Sequence, residues 1–232
     1  MGQSVYILDW TAWSPGISGV DEWSQWAAGE RSLERTAVSP PIGHVEPMFK
    51  RRFSQLTRMT LHVGHRILAA HPGIKTAFSS VYGEINQQYK ITSALLESGE
   101  VSPANFSLSV FNTPVGALSI VEKNSAGYVT CFPGPDCFRQ GLMETAAAVL
   151  SGADPLRLFI CADELLPEAY WPLVEFVPAP HALALLVSAS AVKGAIPLSL
   201  DSLLPSVSVS AGGVPYPLEF LRDVLLDGAG RV

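Results

Sequence analysis

The chain has 232 residues, of which 48% are hydrophobic and only 16% charged, with a formal net charge of −6 and no lysine- or arginine-rich block. That balance excludes nucleic acid as a partner, because phosphate recognition needs a concentrated basic footprint. A chain of this length can bury a sizeable core, and one this apolar either hides it all or keeps a wide apolar face for a partner. The three cysteines, Cys131, Cys137 and Cys161, lack zinc-site spacing, and their odd number argues against a disulfide framework. "MGQSVYILDW" has no basic region leading into an apolar stretch, and no run approaches the roughly eighteen apolar residues of a bilayer span. The expectation is a cytoplasmic protein with no membrane span.

In chain order, "SVYILDWTAW" reads as a first strand. Residues 14–47 read as a long Pro-, Gly- and Trp-rich loop holding a short helix from Asp21, its cap, to Ala28. Apolar positions Phe49, Phe53, Leu56, Met59, Leu61, Val63, Ile67 and Leu68 predict one amphipathic helix over 49–70. "IKTAFSSVYG" is a short strand, and "EINQQYKITSALLESG" is a helix closed by Gly99. The stretch from Ser102 to Asn124 reads as a turn, a brief extended run and a helix after Pro114. "AGYVTCF" is a strand, followed by a helix capped by Asp136 and stopped by Gly152. "LRLFICA" and "HALALLVSAS" are continuous apolar runs of the kind buried on both faces of a sheet. Strands alternating with helices give an α/β layered fold with a mixed sheet and helices on both faces, one domain over 1–232, with a last short helix in the tail.

Chemistry concentrates at "TCFPGPDCFRQG", a strand, a tight turn and a helix start. Helix N-terminal amides lower a thiol's pKa, so such a turn suits a cysteine nucleophile. Around it, "SPANFSLSVFNTPVGALSI" and "DCFRQGLMETAAAVLSGAD" resemble the N-terminal half of a β-ketoacyl-acyl-carrier-protein synthase. Ser102, Pro103, Asn112, Gly116, Ser119, Ile120 and Gly152 fall on that family's pattern without a gap. With "FSLSVFNTPVG" and "DELLP", the chain is similar to the half-length, chain-length-factor-like relatives encoded with aryl-polyene pathways. The resemblance implies a thiolase-like fold, N-terminal half only, and no cofactor.

In the resemblance's register the nucleophile's position falls on Pro135, which carries no nucleophile. Cys137 lies two residues on, turned by about 200° on a helical period and expected to face elsewhere. The family's two histidines and lysine belong to a C-terminal half that the resemblance does not reach here. No catalytic residue is therefore expected. The resemblance implies instead a non-catalytic subunit that heterodimerises with an active ketosynthase and shapes its acyl tunnel. The pairing strand would be Gly127, Tyr128, Val129, Thr130, Cys131 and Phe132; Asn105, Phe106 and Asn112 would gate the tunnel. An acyl carrier protein with its phosphopantetheine-linked chain would be a further partner, met by Lys50, Arg51, Arg52 and Arg58 if these are not simply a solvated helix face. Two other readings stay open: a cysteine-dependent acyltransferase using Cys137, and a stand-alone acyl-carrier-protein-binding module.

Other residues carry bland readings beside sharp ones. His62 and His65 in "HVGH" have metal-pair spacing but no acidic or thiol ligand spaced to complete a site, so no metal is expected. Asp163 and Glu164 read as caps for "ELLPEAYWP", and His181 as a polar strand start. Trp10, Trp13, Trp23 and Trp26 read as core or interface cover.

Overall fold

The computed structural model describes residues 4–131, 134–203 and 213–229. Among them, six strands form one sheet: β1 (Ser4–Trp13), β2 (Lys75–Ser79), β3 (Tyr128–Thr130), β4 (Leu156–Asp163), β5 (His181–Ser188) and β6 (Ile196–Ser199). Their spatial order is β3-β2-β4-β5-β1-β6. The first three run parallel, and β4–β5, β5–β1 and β1–β6 pair antiparallel, which is the mixed sheet expected. The helices are α1 (Val20–Ala27), α2 (Pro47–Lys50), α3 (Gln55–Ala70), α4 (Ile85–Ser98), α5 (Pro103–Phe106), α6 (Thr113–Val121), α7 (Cys137–Leu150) and α8 (Tyr216–Ala229). No helix of the described residues is long and apolar enough to cross a membrane.

The two central strands show why continuous apolar runs mean double burial. Leu158, Ile160 and Ala162 of β4 and Ala182, Ala184 and Leu186 of β5 pack into one core with Met59, Ile67 and Leu118 of α3 and α6. Phe159 and Cys161, with Leu183, Leu185 and Val187, alternate into a second core with Phe138, Leu142 and Leu221 of α7 and α8. Two glycines set how closely helices approach. A Cβ on Gly64 of α3 would stand 2.6 Å from Leu118 Cδ2, and one on Gly141 of α7 would stand 2.5 Å from Phe159 Cε2. Trp13, Trp23 and Trp26 are buried and Trp10 packs against the second core, so the tryptophans cover the sheet as expected.

Several elements differ from expectation. The helix foreseen over 49–70 is two, α2 and α3, broken at 51–54. Ser54 Oγ accepts from the Thr57 amide at 2.9 Å and starts α3, while the Arg58 guanidinium donates to the Lys50 and Phe53 carbonyls at the break. No strand forms between Ser102 and Asn112; α5 and a turn fill it. The short first helix starts from Gly19 rather than Asp21, because Glu22 reaches back to accept from the Gly19 amide at 3.0 Å. Asp136 does stand at the N-cap of α7, but its carboxylate pairs with Arg139 at 2.9 Å and caps no amide. The strand β6, in "IPLS", was not foreseen; four residues with a proline give little periodicity to read.

Candidate functional site

The strand–turn–helix around Pro135 joins the β3 edge to α7. Strand β3 is three residues long, and its pairing with β2 extends on both sides through the Gly127 carbonyl to Thr76 and the Cys131 amide to Phe78. In a parallel ladder alternate residues serve one neighbour, so residues 127, 129 and 131 bond to β2. The backbone groups of Tyr128 and Thr130 point the other way, where no strand of the described residues lies. Phe132, the last residue of the expected pairing strand, lies outside the described residues, as does Pro133.

Pro135 is exposed and Cys137 buried, yet both line a cavity of about 310 Å³ with Tyr82, Cys161, Asp163 and His181. Cys137 was expected to face elsewhere, and it does not. The 3.6-residue period fails between 135 and 137 because helix geometry begins only at Cys137, whose amide closes a turn onto the Gly134 carbonyl at 3.0 Å. Cys137 is only 1% exposed, so its thiol has little access to an incoming acyl group. It lies against Cys161, whose thiol burial pushes well above the usual range, the contact with Cys137 adding to the rise. Cys131 is pushed up to about 11 by burial, with Glu144 adding to it. An activated nucleophile needs the opposite shift.

Beside these thiols, Asp163 and His181 face each other across β4 and β5. Asp163 accepts from Ser80 Oγ at 2.6 Å and from the Val81 and Tyr82 amides at 2.9 and 3.0 Å. Burial raises the Asp163 carboxyl and lowers His181, and their mutual attraction opposes both shifts. His181 Nδ1 lies 3.0 Å from the Ala179 carbonyl, and Nε2 has no protein partner. Asp163 was expected to cap the segment after β4, but it ties down the turn after β2.

Glu164 likewise does not cap its own segment. It accepts from the Asn86 amide at 3.0 Å and the Leu56 amide at 3.5 Å, so one carboxylate serves the first turns of α4 and α3. Glu84, buried beside it, accepts from Ser54 Oγ at 2.9 Å and Thr57 Oγ1 at 2.6 Å. Burial, and then the charge of Glu164, raise Glu84 to about 8, and burial raises Glu164 as well. Sequence reasoning missed this pair because Glu84, Glu164 and the two helix starts lie on segments that only the fold brings together.

A second, wider cavity of about 590 Å³ opens between the α2 region and α6, lined by His44, Phe49, Arg52, Phe53, Leu108, Val110, Asn112, Ile120 and others. Asn112 is the expected gating residue that lines it, and its Nδ2 donates to the Tyr128 hydroxyl at 3.1 Å. Asn105 and Phe106, on α5, line neither cavity and are exposed. Of the basic residues, Arg51 and Arg52 are exposed, whereas Arg58 is engaged by carbonyls and Lys50 Nζ lies 3.4 Å from the Gly43 carbonyl.

The two histidines of "HVGH" part company. His62 Nδ1 lies 3.1 Å from the Pro41 carbonyl. His65 Nδ1 lies 2.9 Å from Glu122 Oε1, and its ring stacks on His44 with centroids 3.7 Å apart and planes 7° from parallel. His44 Nε2 stands 3.5 Å from the same oxygen. The acidic group that local spacing lacked arrives from 57 residues away.

Solved structures place this architecture. The chain is similar, at 29% identity and a TM-score of 0.76, to a chain in the ketosynthase (ApeO) in complex with its chain length factor (ApeC) from Xenorhabdus doucetiae, covering 96% of this chain and 91% of that one. The ishigamide ketosynthase/chain length factor matches at 15% identity and a TM-score of 0.63, over 80% of this chain and 62% of that one. A β-ketoacyl synthase from Burkholderia phymatum matches at 16% and 0.61, over 81% and 59%. This chain thus spans about three fifths of these two longer relatives, and their likeness shows the shared thiolase-like fold. No curated protein sequence gives a significant match. The model of the β-ketoacyl synthase N-terminal domain matches residues 23–213, most of the sequence, and the chain belongs to that family.

Proposed function

We propose that the chain, acting as one ketosynthase N-terminal-like domain over 1–232, is a non-catalytic, chain-length-factor-like subunit that pairs with an active β-ketoacyl synthase in the cytoplasm. The observation that carries the reading is the outer edge of β3, along which no strand of the described residues lies. An unpaired edge offers a row of N–H and C=O groups that a second strand can complete, and isolated proteins normally blunt such edges. Here the surrounding elements expose Tyr128, Ile120, Val110 and Phe106 instead. Helix α4 buries no residue and leaves Tyr89, Leu95 and Leu96 in the open, which is an apolar surface of the kind an obligate interface covers. The Xenorhabdus relative occurs in a structure of a ketosynthase with its chain length factor, which agrees with a paired role.

Asn105 and Phe106, exposed on α5 next to this face, would reach the partner's acyl tunnel and set its depth, and the exposed Arg51 and Arg52 would meet an acidic acyl carrier protein. Co-expression with a full-length ketosynthase is the test: purification as a stable heterodimer is the expected outcome, and a monodisperse monomer that ignores the ketosynthase overturns the pairing. The tunnel role has its own readout. Asn105→Trp would fill the polar gate and shorten the acyl product of an intact heterodimer; unchanged product length removes this residue from the tunnel.

A further inference from the structure

We propose that His44, His65 and Glu122 form a binding site for a divalent transition-metal ion of the zinc class, at the edge of the wide cavity between the α2 region and α6. The donor set of two imidazoles and a carboxylate is one that zinc accepts, with three protein ligands leaving the fourth position to water or to a group entering from the cavity. The three ligand atoms all lie within 4.8 Å of one another. Zinc bonds of 2.0–2.1 Å in a tetrahedral shell put neighbouring ligand atoms about 3.3 Å apart. The observed separations from Glu122 Oε1, 2.9 Å to His65 Nδ1 and 3.5 Å to His44 Nε2, bracket that value.

The three residues come from separate segments, so the convergence is not a by-product of helical spacing. His65 lies within α3, Glu122 at the C-terminal cap of α6, and His44 in the loop before α2. The side chains are partly withdrawn, with exposures of 22% for His44, 39% for His65 and 12% for Glu122. They are shielded enough to compete with bulk water and open enough for an ion to enter. The two rings stack with centroids 3.7 Å apart and planes 7° from parallel, so both nitrogens meet the same carboxylate, and on taking up an ion each ring must swing well out of the stack to aim its in-plane lone pair at it. His44 also lines the cavity. An ion held there ties the loop around residues 43–46 to the α3–α6 layer and fixes one wall of that cavity.

The test uses the full-length, tag-free chain, stripped with a chelator and titrated with cobalt(II) and zinc(II). One equivalent of cobalt should give visible d–d bands of a low-coordinate site, displaced by zinc, and zinc should raise the Tm. His44→Asn and Glu122→Gln should each weaken the affinity by more than about 100-fold, the upper end of what losing a ligand's hydrogen-bond partner alone does. His62→Ala, which lies one helical turn away, should bind as the parent does. Melting curves recorded before metal addition show that each variant is folded, and His44→Asn, on the loop, decides the matter if a helix variant is not. The proposal is overturned if the parent binds no more tightly than His44→Asn, or if His62→Ala weakens binding as much as Glu122→Gln does.

Discussion

The centre of the sheet and its β3 edge follow opposite rules. At the centre, every residue of β5 is buried, and both faces are closed by helices from the same chain. At the edge, β3 has three residues, two of them exposed, and pairs with a strand of the described residues along one side only. The centre is self-sufficient: its side chains find all their neighbours within the fold. The edge and the adjoining α4–α5 arm instead leave Tyr89, Leu95, Leu96, Phe106 and Tyr128 exposed. On the proposed pairing the first region serves stability and the second assembly, and substitutions should separate the two.

The largest effect is expected at the centre. Phe159 is fully buried between Phe138 and the close approach of Gly141. Phe159→Ala should cost about 3–5 kcal/mol, the lost transfer energy plus an unfilled cavity. Denaturant unfolding checks it, and a loss below about 1 kcal/mol would mean that the centre is not the tightly packed region described. At the edge the effect should move from stability to partnership. Thr130→Pro removes an outward-facing amide and places a ring where a partner strand would lie, while leaving the bonds to β2 in place. The affinity for the ketosynthase should fall by about 100-fold, or ~2.7 kcal/mol, with the chain's own Tm nearly unchanged. Equal losses of stability and affinity would erase the distinction between the two regions.

How much of this was legible in the sequence follows the same division. The β4 and β5 runs announce themselves because residues buried on both faces must be apolar at every position, and the helices against them repeat with period 3.6. The family pattern from Ser102 to Gly152 was likewise legible, and it lies within the residues that the β-ketoacyl synthase N-terminal domain matches. What could not be read are contacts between segments far apart in the chain. The Ser54 cap and the Arg58 guanidinium break a helix whose apolar pattern runs on unbroken, and Asp163 and Glu164 cap elements some 80 to 110 residues away. The facing of Cys137 was misread for a local reason, since a helical period was applied across a turn. Glu122 is one more polar residue at a helix end until the fold sets it between His65 and His44.

Glu84 and Glu164 stand where the two regions meet, at the starts of α3, which covers the centre, and α4, which leads to the edge. Their titration should therefore report how firmly the arm is held to the core. Glu84 titrates near 8 in the folded chain against an ordinary 4.5, so between these values the folded state binds a proton that the unfolded state has lost. Stability linked to this group is fully present below pH 4.5 and declines as pH rises through 8. Each pH unit between the two values removes up to about 1.4 kcal/mol, so the drop from pH 5 to pH 7 should be about 2.5 kcal/mol, roughly 6 °C in Tm. Glu84→Gln keeps an oxygen for both hydroxyls and carries no charge at any pH. It should flatten the decline between pH 5 and 8 while matching the parent near pH 5. If the decline persists in Glu84→Gln, another group sets it; if hydrogen exchange in α4 follows the same pH curve, the carboxylate pair is what fastens the arm to the sheet.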